Sequence, residues 1–315
     1  MLNIREHSAD LITEICQKIG GVGPTKGYAL SAYLDSDWTA FLNADADKIM
    51  GCRKANDKSV FTVEQINELI TIKEEYLDLE DVRMAWIYQI GKNFLITQMD
   101  ALRSTSLNNL DINPFLMKVL NLKTPEEILE FNLYQTVTRS IVTSWGMAVE
   151  GLLFRCGADR FVVGSIDARA GGRPDLEKNI DGKKFYIQVK SGPNTMNVQM
   201  VNSLNDVIED YKRRDPDAAF LLGMTYGTKD RISPQIRGYL SNFEDSVLIG
   251  RGLWDFISEE QNFHRQLFSV LDESSRKITS KTFSEHLKDQ LVILVTEWEL
   301  KFRDKTIDQA YENYI

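Results

Sequence analysis

With 315 residues, 43% hydrophobic and 26% charged, the chain is long enough for one large domain or two modest ones with a real core. Its longest apolar runs fall well short of the ~20 residues that span a bilayer, and the opening MLNIREHSAD has no secretory apolar stretch. Cys16, Cys52 and Cys156 are too far apart for a disulfide framework or a cysteine-rich zinc site, which points to a reducing cytoplasm, and the net charge of −9 argues against a broadly basic nucleic-acid surface.

Residues 1–22 read as a helix ending at Gly20-Gly21, and 28–50 as a second helical stretch. Apolar residues at helical spacing over 60–102 predict two long helices. A polar connection follows at 103–114. Thr124-Pro125-Glu126-Glu127 then sets threonine at the N-cap, proline at the first helical position and glutamate at the third, a capping box. The helix it starts runs toward Phe154, with a break or kink expected near Gly146.

After Gly157 the pattern changes. RFVVGSIDA, KKFYIQVK and AAFLLGMTYG read as strands, and the amphipathic VQMVNSLNDVIEDYKRR between the last two as a helix. SVLIGRGLWDFI is a short fourth strand running into a helix, and 258–315 is helical and charged. The fold class is therefore α+β, with helices before and after a β-β-α-β core. This centre is also locally basic, with seven basic against four acidic residues from Arg160 to Lys190.

Asp181-Gly182 predicts a two-residue hairpin turn, because both central positions of a type I′ turn require positive φ. A turn there puts Asp175 on the first arm and Gln188 and Lys190 on one face of the second, since strand side chains alternate. An acid, an amide and an ammonium then converge at one sheet edge. Those groups suit phosphodiester cleavage. A carboxylate holds Mg²⁺ through oxygen, the Val189 carbonyl supplies a further oxygen, and the lysine orients water or offsets developing negative charge. A charged surface hairpin is the plainer alternative.

Pro174-Asp175…Gln188-Val189-Lys190 resembles the PD-(D/E)xK nuclease signature, with glutamine in place of the second acid. INPFLMKVL, WGMAVEGLL, the hairpin, FLLGMTYG and VLIGRGLWDFI follow the order of an EcoO-type restriction endonuclease family that cuts interrupted palindromes with a GGNCC core. The likeness covers roughly 110–290. It implies a mixed sheet flanked by helices, a catalytic domain over 111–315 and a helical region over 1–110 that dimerises or touches DNA. It also implies Mg²⁺, double-stranded DNA as substrate and a homodimer. By the same resemblance Glu150, set among apolar Ala148, Val149, Leu152 and Leu153, is the helix-borne acid at the metal beside Asp175, Gln188 and Val189. An ion pair with Arg155 or Arg139 is its alternative role, and Asp167 and Glu177 are further nearby acids.

Ser191, Asn194, Thr195 and Asn197 lead into a helix start and can bond base edges or phosphate, although helix capping wants the same residue types. Arg173, Lys229 and Arg231 are candidate phosphate contacts. Two other functions stay open on the sequence: a repair or methyl-directed nuclease of the same superfamily, and a non-cleaving DNA-binding protein on a degenerate nuclease fold.

Overall fold

The computed structural model describes residues 4–161 and 174–315. Helices α1 (Ile4–Cys16), α2 (Pro24–Tyr33), α3 (Trp38–Asn43), α4 (Ala46–Met50), α5 (Val63–Glu74), α6 (Val82–Arg103), α7 (Pro114–Val119) and α8 (Pro125–Cys156) come first. Then follow β1 (Arg160–Phe161), β2 (Leu176–Ile180), β3 (Lys183–Lys190), α9 (Val198–Arg214), β4 (Ala219–Met224), α10 (Pro234–Tyr239), α11 (Phe243–Ser246), β5 (Val247–Ile249), α12 (Arg251–Ser258), α13 (Phe263–Ile278), α14 (Phe283–Lys301) and α15 (Ile307–Tyr311).

The expected helix over 1–22 is shorter. It ends at Cys16, where Lys18 and Ile19 bond back three residues and tighten the chain into turns. The stretch at 28–50 is three helices instead of one. Positive φ at Asp35 and Ser36 breaks it, and the carboxylates of Asp37 and Asp45 cap the next two starts by accepting from Ala40 N and Lys48 N, each at 2.8 Å. The two long helices within 60–102 are α5 and α6. Thr124 caps α8 as its sequence demands: Glu127 N donates to Thr124 Oγ1 at 3.2 Å and Thr124 N to Glu127 Oε2 at 3.1 Å. No break occurs at Gly146; α8 runs unbroken for 32 residues. The strand expected over 160–168 is described only at Arg160–Phe161, and its remainder lies outside the described residues.

The described residues form two compact units, 4–90 with 149–161 and 174–271, and 91–148 with 272–315. In the second, Met117, Ile128, Leu129 and Leu133 pack with Leu294, Trp298 and Phe302 in one apolar core. The first holds α1–α5 and a five-stranded mixed sheet in the order β1-β2-β3-β4-β5. β1, β2 and β3 pair antiparallel, whereas β3, β4 and β5 run parallel. Ile180 faces Lys183, so the β2–β3 turn is the two residues Asp181 and Gly182, both at positive φ (51° and 81°).

Helix α9 carries β3 over to the parallel β4, as a parallel pair requires. Its apolar stripe of Val201, Leu204 and Ile208 packs on Tyr186, Phe220 and Leu222, and each such side chain buried contributes roughly 1.5–3 kcal/mol. The opposite face is covered by α12. A side chain added at Gly223 would meet Leu253 at 3.0 Å and Ile187 at 3.2 Å, and the Phe185 and Phe256 rings lie edge to face 5.1 Å apart. Helices on both faces of a mixed sheet make this an α+β molecule.

Candidate active site

The site gathers where β3 outruns β2. Asp175 precedes β2 by one residue, and its N–H already donates to Ile187 O at 2.8 Å, so it is held in the ladder. Leu176 faces Ile187 across the pair. Asp175 therefore shares the face of Gln188, and alternation adds Tyr186 and Lys190 to it. The Asp175 Oδ2 atom accepts from Gln188 Nε2 and from Val189 N, both at 2.6 Å. Such short charge-assisted bonds fix the carboxylate. They also explain what glutamine does where an acid would stand: a second carboxylate could not donate to the first. The Gln188 amide oxygen remains as a neutral acceptor, able to ligate a cation, on a buried side chain. In a strand the N–H and C=O of one residue point to the same edge, so the Val189 carbonyl is directed to the edge where Asp175 sits.

Glu150 comes from the last turns of α8, anchored by buried Val149, Leu152 and Leu153. Burial first, and the negative charge of Asp175 next, push its carboxyl above the ordinary value, while the Lys190 ammonium opposes them. Two acids and one cation thus share one electrostatic environment. Arg155 is not the partner of Glu150: its guanidinium pairs with Asp10 at 3.0 Å and lies over the Trp86 ring, 3.9 Å from the centroid. Glu177 is on the face of Asp175 but is occupied, since Arg160 holds both its oxygens at 2.6 and 2.8 Å. Asp167 lies outside the described residues.

The donors of this cluster are oxygens, two carboxylates with an amide and a backbone carbonyl, which is the chemistry Mg²⁺ takes. Burial first and the Asp175 charge next raise the Glu150 carboxyl, and a cation bound there would offset both. These residues fit a divalent ion. Among the described residues no group of three or more His, Cys, Asp or Glu could hold a metal, so any ion here depends on Gln188 and Val189 as well as on the two acids.

The candidate DNA contacts divide. Asn197 Oδ1 caps α9 by accepting from Met200 N at 2.9 Å, and Thr195 Oγ1 donates to Gly192 O at 2.9 Å, so both help to build the helix start. Ser191 is half-buried, its carbonyl accepting from Thr225 Oγ1 at 2.8 Å, whereas Asn194 is exposed. Lys229 pairs with Glu244 at 3.3 Å; Arg231 is exposed in the same short turn. Arg173 lies outside the described residues. Thr225 is a residue the sequence reading missed. Its N–H donates to Lys190 O at 3.2 Å, and its carbonyl accepts from Trp254 Nε1 at 2.9 Å. It braces the backbone of the lysine from 35 positions further along the chain, and nothing in its own neighbourhood signals that role.

A mixed sheet between helices, with an aspartate just before β2 and a lysine at the end of β3, fits the restriction-endonuclease class of fold. The family model described as type II restriction endonuclease EcoO109I matches residues 85–279, more than half of the chain and the whole of this site. The protein belongs to that family. Among curated proteins none matches the chain. No helix among the described residues is long and apolar enough to cross a membrane.

Proposed function

We propose that the protein is a Mg²⁺-dependent, sequence-specific endonuclease that hydrolyses phosphodiester bonds in both strands of duplex DNA. The observation that carries this is the Asp175 carboxylate fixed by Gln188 and Val189, in an environment shared with Glu150 and Lys190. Asp175, Glu150, the Gln188 amide oxygen and the Val189 carbonyl would hold Mg²⁺. When bound, the ion supplies a Lewis acid at the phosphoryl oxygen and makes water a stronger nucleophile. Lys190 donates N–H to the attacking water or a phosphate oxygen and offsets the negative charge that grows there. Gln188 keeps the Asp175 carboxylate turned toward the strand end. Ser191, Asn194, Thr195, Asn197, Lys229 and Arg231 are proposed to contact DNA, and so, on the sequence alone, is Arg173.

A short palindrome, here an interrupted one with a GGNCC core, is matched by a symmetric reader, so the working form is a homodimer. The catalytic part is assigned to 111–315 and the helical region 1–110 to dimerisation or DNA contact. That division is one of function and not of compactness, because residues 4–90 share a compact unit with the sheet. Incubation of the purified protein with unmodified plasmid in Mg²⁺, followed by mapping of fragment ends, tests the reading. Discrete ends at one repeated palindrome support it; sequence-specific binding without cutting in Mg²⁺ or Mn²⁺ replaces it with a DNA-binding protein on a nuclease fold.

A further inference from the structure

Tyr226 stands beyond the end of β4, level with Gly192 beyond the end of β3, because Met224 is paired with Lys190 in the parallel ladder. Its ring lies directly on Gly192. A Cβ at position 192 would fall 2.4 Å from both the ring carbon Cζ and the hydroxyl oxygen of Tyr226. Gly192 is buried beneath the ring, yet Tyr226 remains 58% exposed. The hydroxyl end of the ring thus lies against the turn that follows the lysine, while more than half of the residue stays open to solvent.

The backbone carrying this ring is clamped on both sides. Thr225 is bonded to Lys190 O and Ser191 O, its own carbonyl takes the Trp254 indole N–H, and Gly250 N donates to Met224 O at 2.8 Å. Gly227, at φ +104°, packs on Pro193. Among the described residues no hydrogen bond to the Tyr226 hydroxyl is found. A large aromatic on a clamped backbone, left half-open, covers the turn without a hydrogen bond from its hydroxyl. Rigid aromatic surfaces bind at low entropic cost, since little side-chain freedom is lost.

We infer that Tyr226 is a substrate-contacting residue of the nuclease. Its ring packs on a deoxyribose of the strand to be cut, and its hydroxyl donates to a phosphate oxygen beside the scissile one. The inference rests on the proposed nuclease reading. The position favours backbone over bases: Tyr226 is level with the end of β3 where phosphate must meet Lys190, and tyrosine is among the usual donors to phosphate and sugar. Stacking on a base would require breaking the duplex stack first. The same geometry explains Gly192, which leaves room for the ring.

The test compares wild type with Tyr226→Phe, Tyr226→Ala, Gly192→Ala and the double variant Gly192→Ala/Tyr226→Ala. Affinity is measured in Ca²⁺, a hard oxygen-seeking ion in place of Mg²⁺, for a duplex carrying the mapped site and for an unrelated duplex; melting temperature is recorded alongside. Tyr226→Ala is expected to weaken both duplexes equally, by about tenfold, since contacts to sugar and phosphate carry no base information. Tyr226→Phe should lose a few-fold through the missing hydroxyl. Gly192→Ala should unseat the exposed ring and lose as much as Tyr226→Ala, and the double variant should be no worse than Tyr226→Ala alone. If wild type binds and cuts while Tyr226→Ala and Tyr226→Phe match it, the inference falls and the nuclease reading stands. A full additive loss in the double variant, or a loss in Tyr226→Ala that tracks a lower melting temperature while Tyr226→Phe is unaffected, assigns the ring to the turn and also overturns it. A wild type that neither binds nor cuts any duplex removes the nuclease reading and this inference with it.

Discussion

Gln188 donates from its amide to Asp175 Oδ2, while burial first and the charge of the same aspartate next raise the Glu150 carboxyl. A carboxyl whose folded-state pKa is raised binds its proton more tightly folded than unfolded. Its ionised form therefore costs stability above the folded value, and the cost vanishes below the ordinary 4.5. In EDTA, Glu150→Gln is expected to melt above wild type at pH 7–8, with the gap closing as pH falls toward 4.5; pH-resolved thermal denaturation measures it. An equal melting temperature at every pH would remove Glu150 from the field of Asp175. Asp175, Gln188 and Lys190 were legible in the sequence because a two-residue turn and strand alternation fix their register. Glu150 was legible only through its likeness to a helix-borne acid. Thr225 and Tyr226 were not legible, since a parallel crossover through α9 brings them to residues 34 or 35 positions away.

At the scale of elements, strands and caps followed local chemistry closely, and the errors fell where a pattern had to stop. KKFYIQVK and VQMVNSLNDVIEDYKRR are β3 and α9 to the residue. The stretch at 28–50 is three helices because Asp35 and Ser36, adjacent and at positive φ, end α2, and the extended Ala44 and capping Asp45 separate α3 from α4, neither of which hydropathy marks. The expected break at Gly146 failed for the converse reason: glycine weakens a helix but does not end one whose flanking turns bury Leu133, Val137, Val149 and Leu152. A side chain at 146 would meet nothing within 4 Å. Gly146→Ala is therefore expected to stabilise α8 by about 0.5–1 kcal/mol through propensity alone. A rise in the denaturant midpoint with no change in its slope would show this, and a fall would mean that the helix needs flexibility there.

For the whole molecule, a net charge of −9 and a DNA-cleaving family are compatible only if charge is distributed unevenly. The locally basic centre is where the site lies. The family match begins at residue 85, so the N-terminal helices are not part of the shared pattern, and their composition gave fold class but no role. The proposed function rests on Asp175 and Lys190 acting about one divalent ion. The most direct measurement is the cleavage of plasmid in Mg²⁺ by Asp175→Ala, alongside its duplex affinity in Ca²⁺. Loss of cutting to background with duplex binding retained is the expected result. Cutting at the wild-type rate would contradict it.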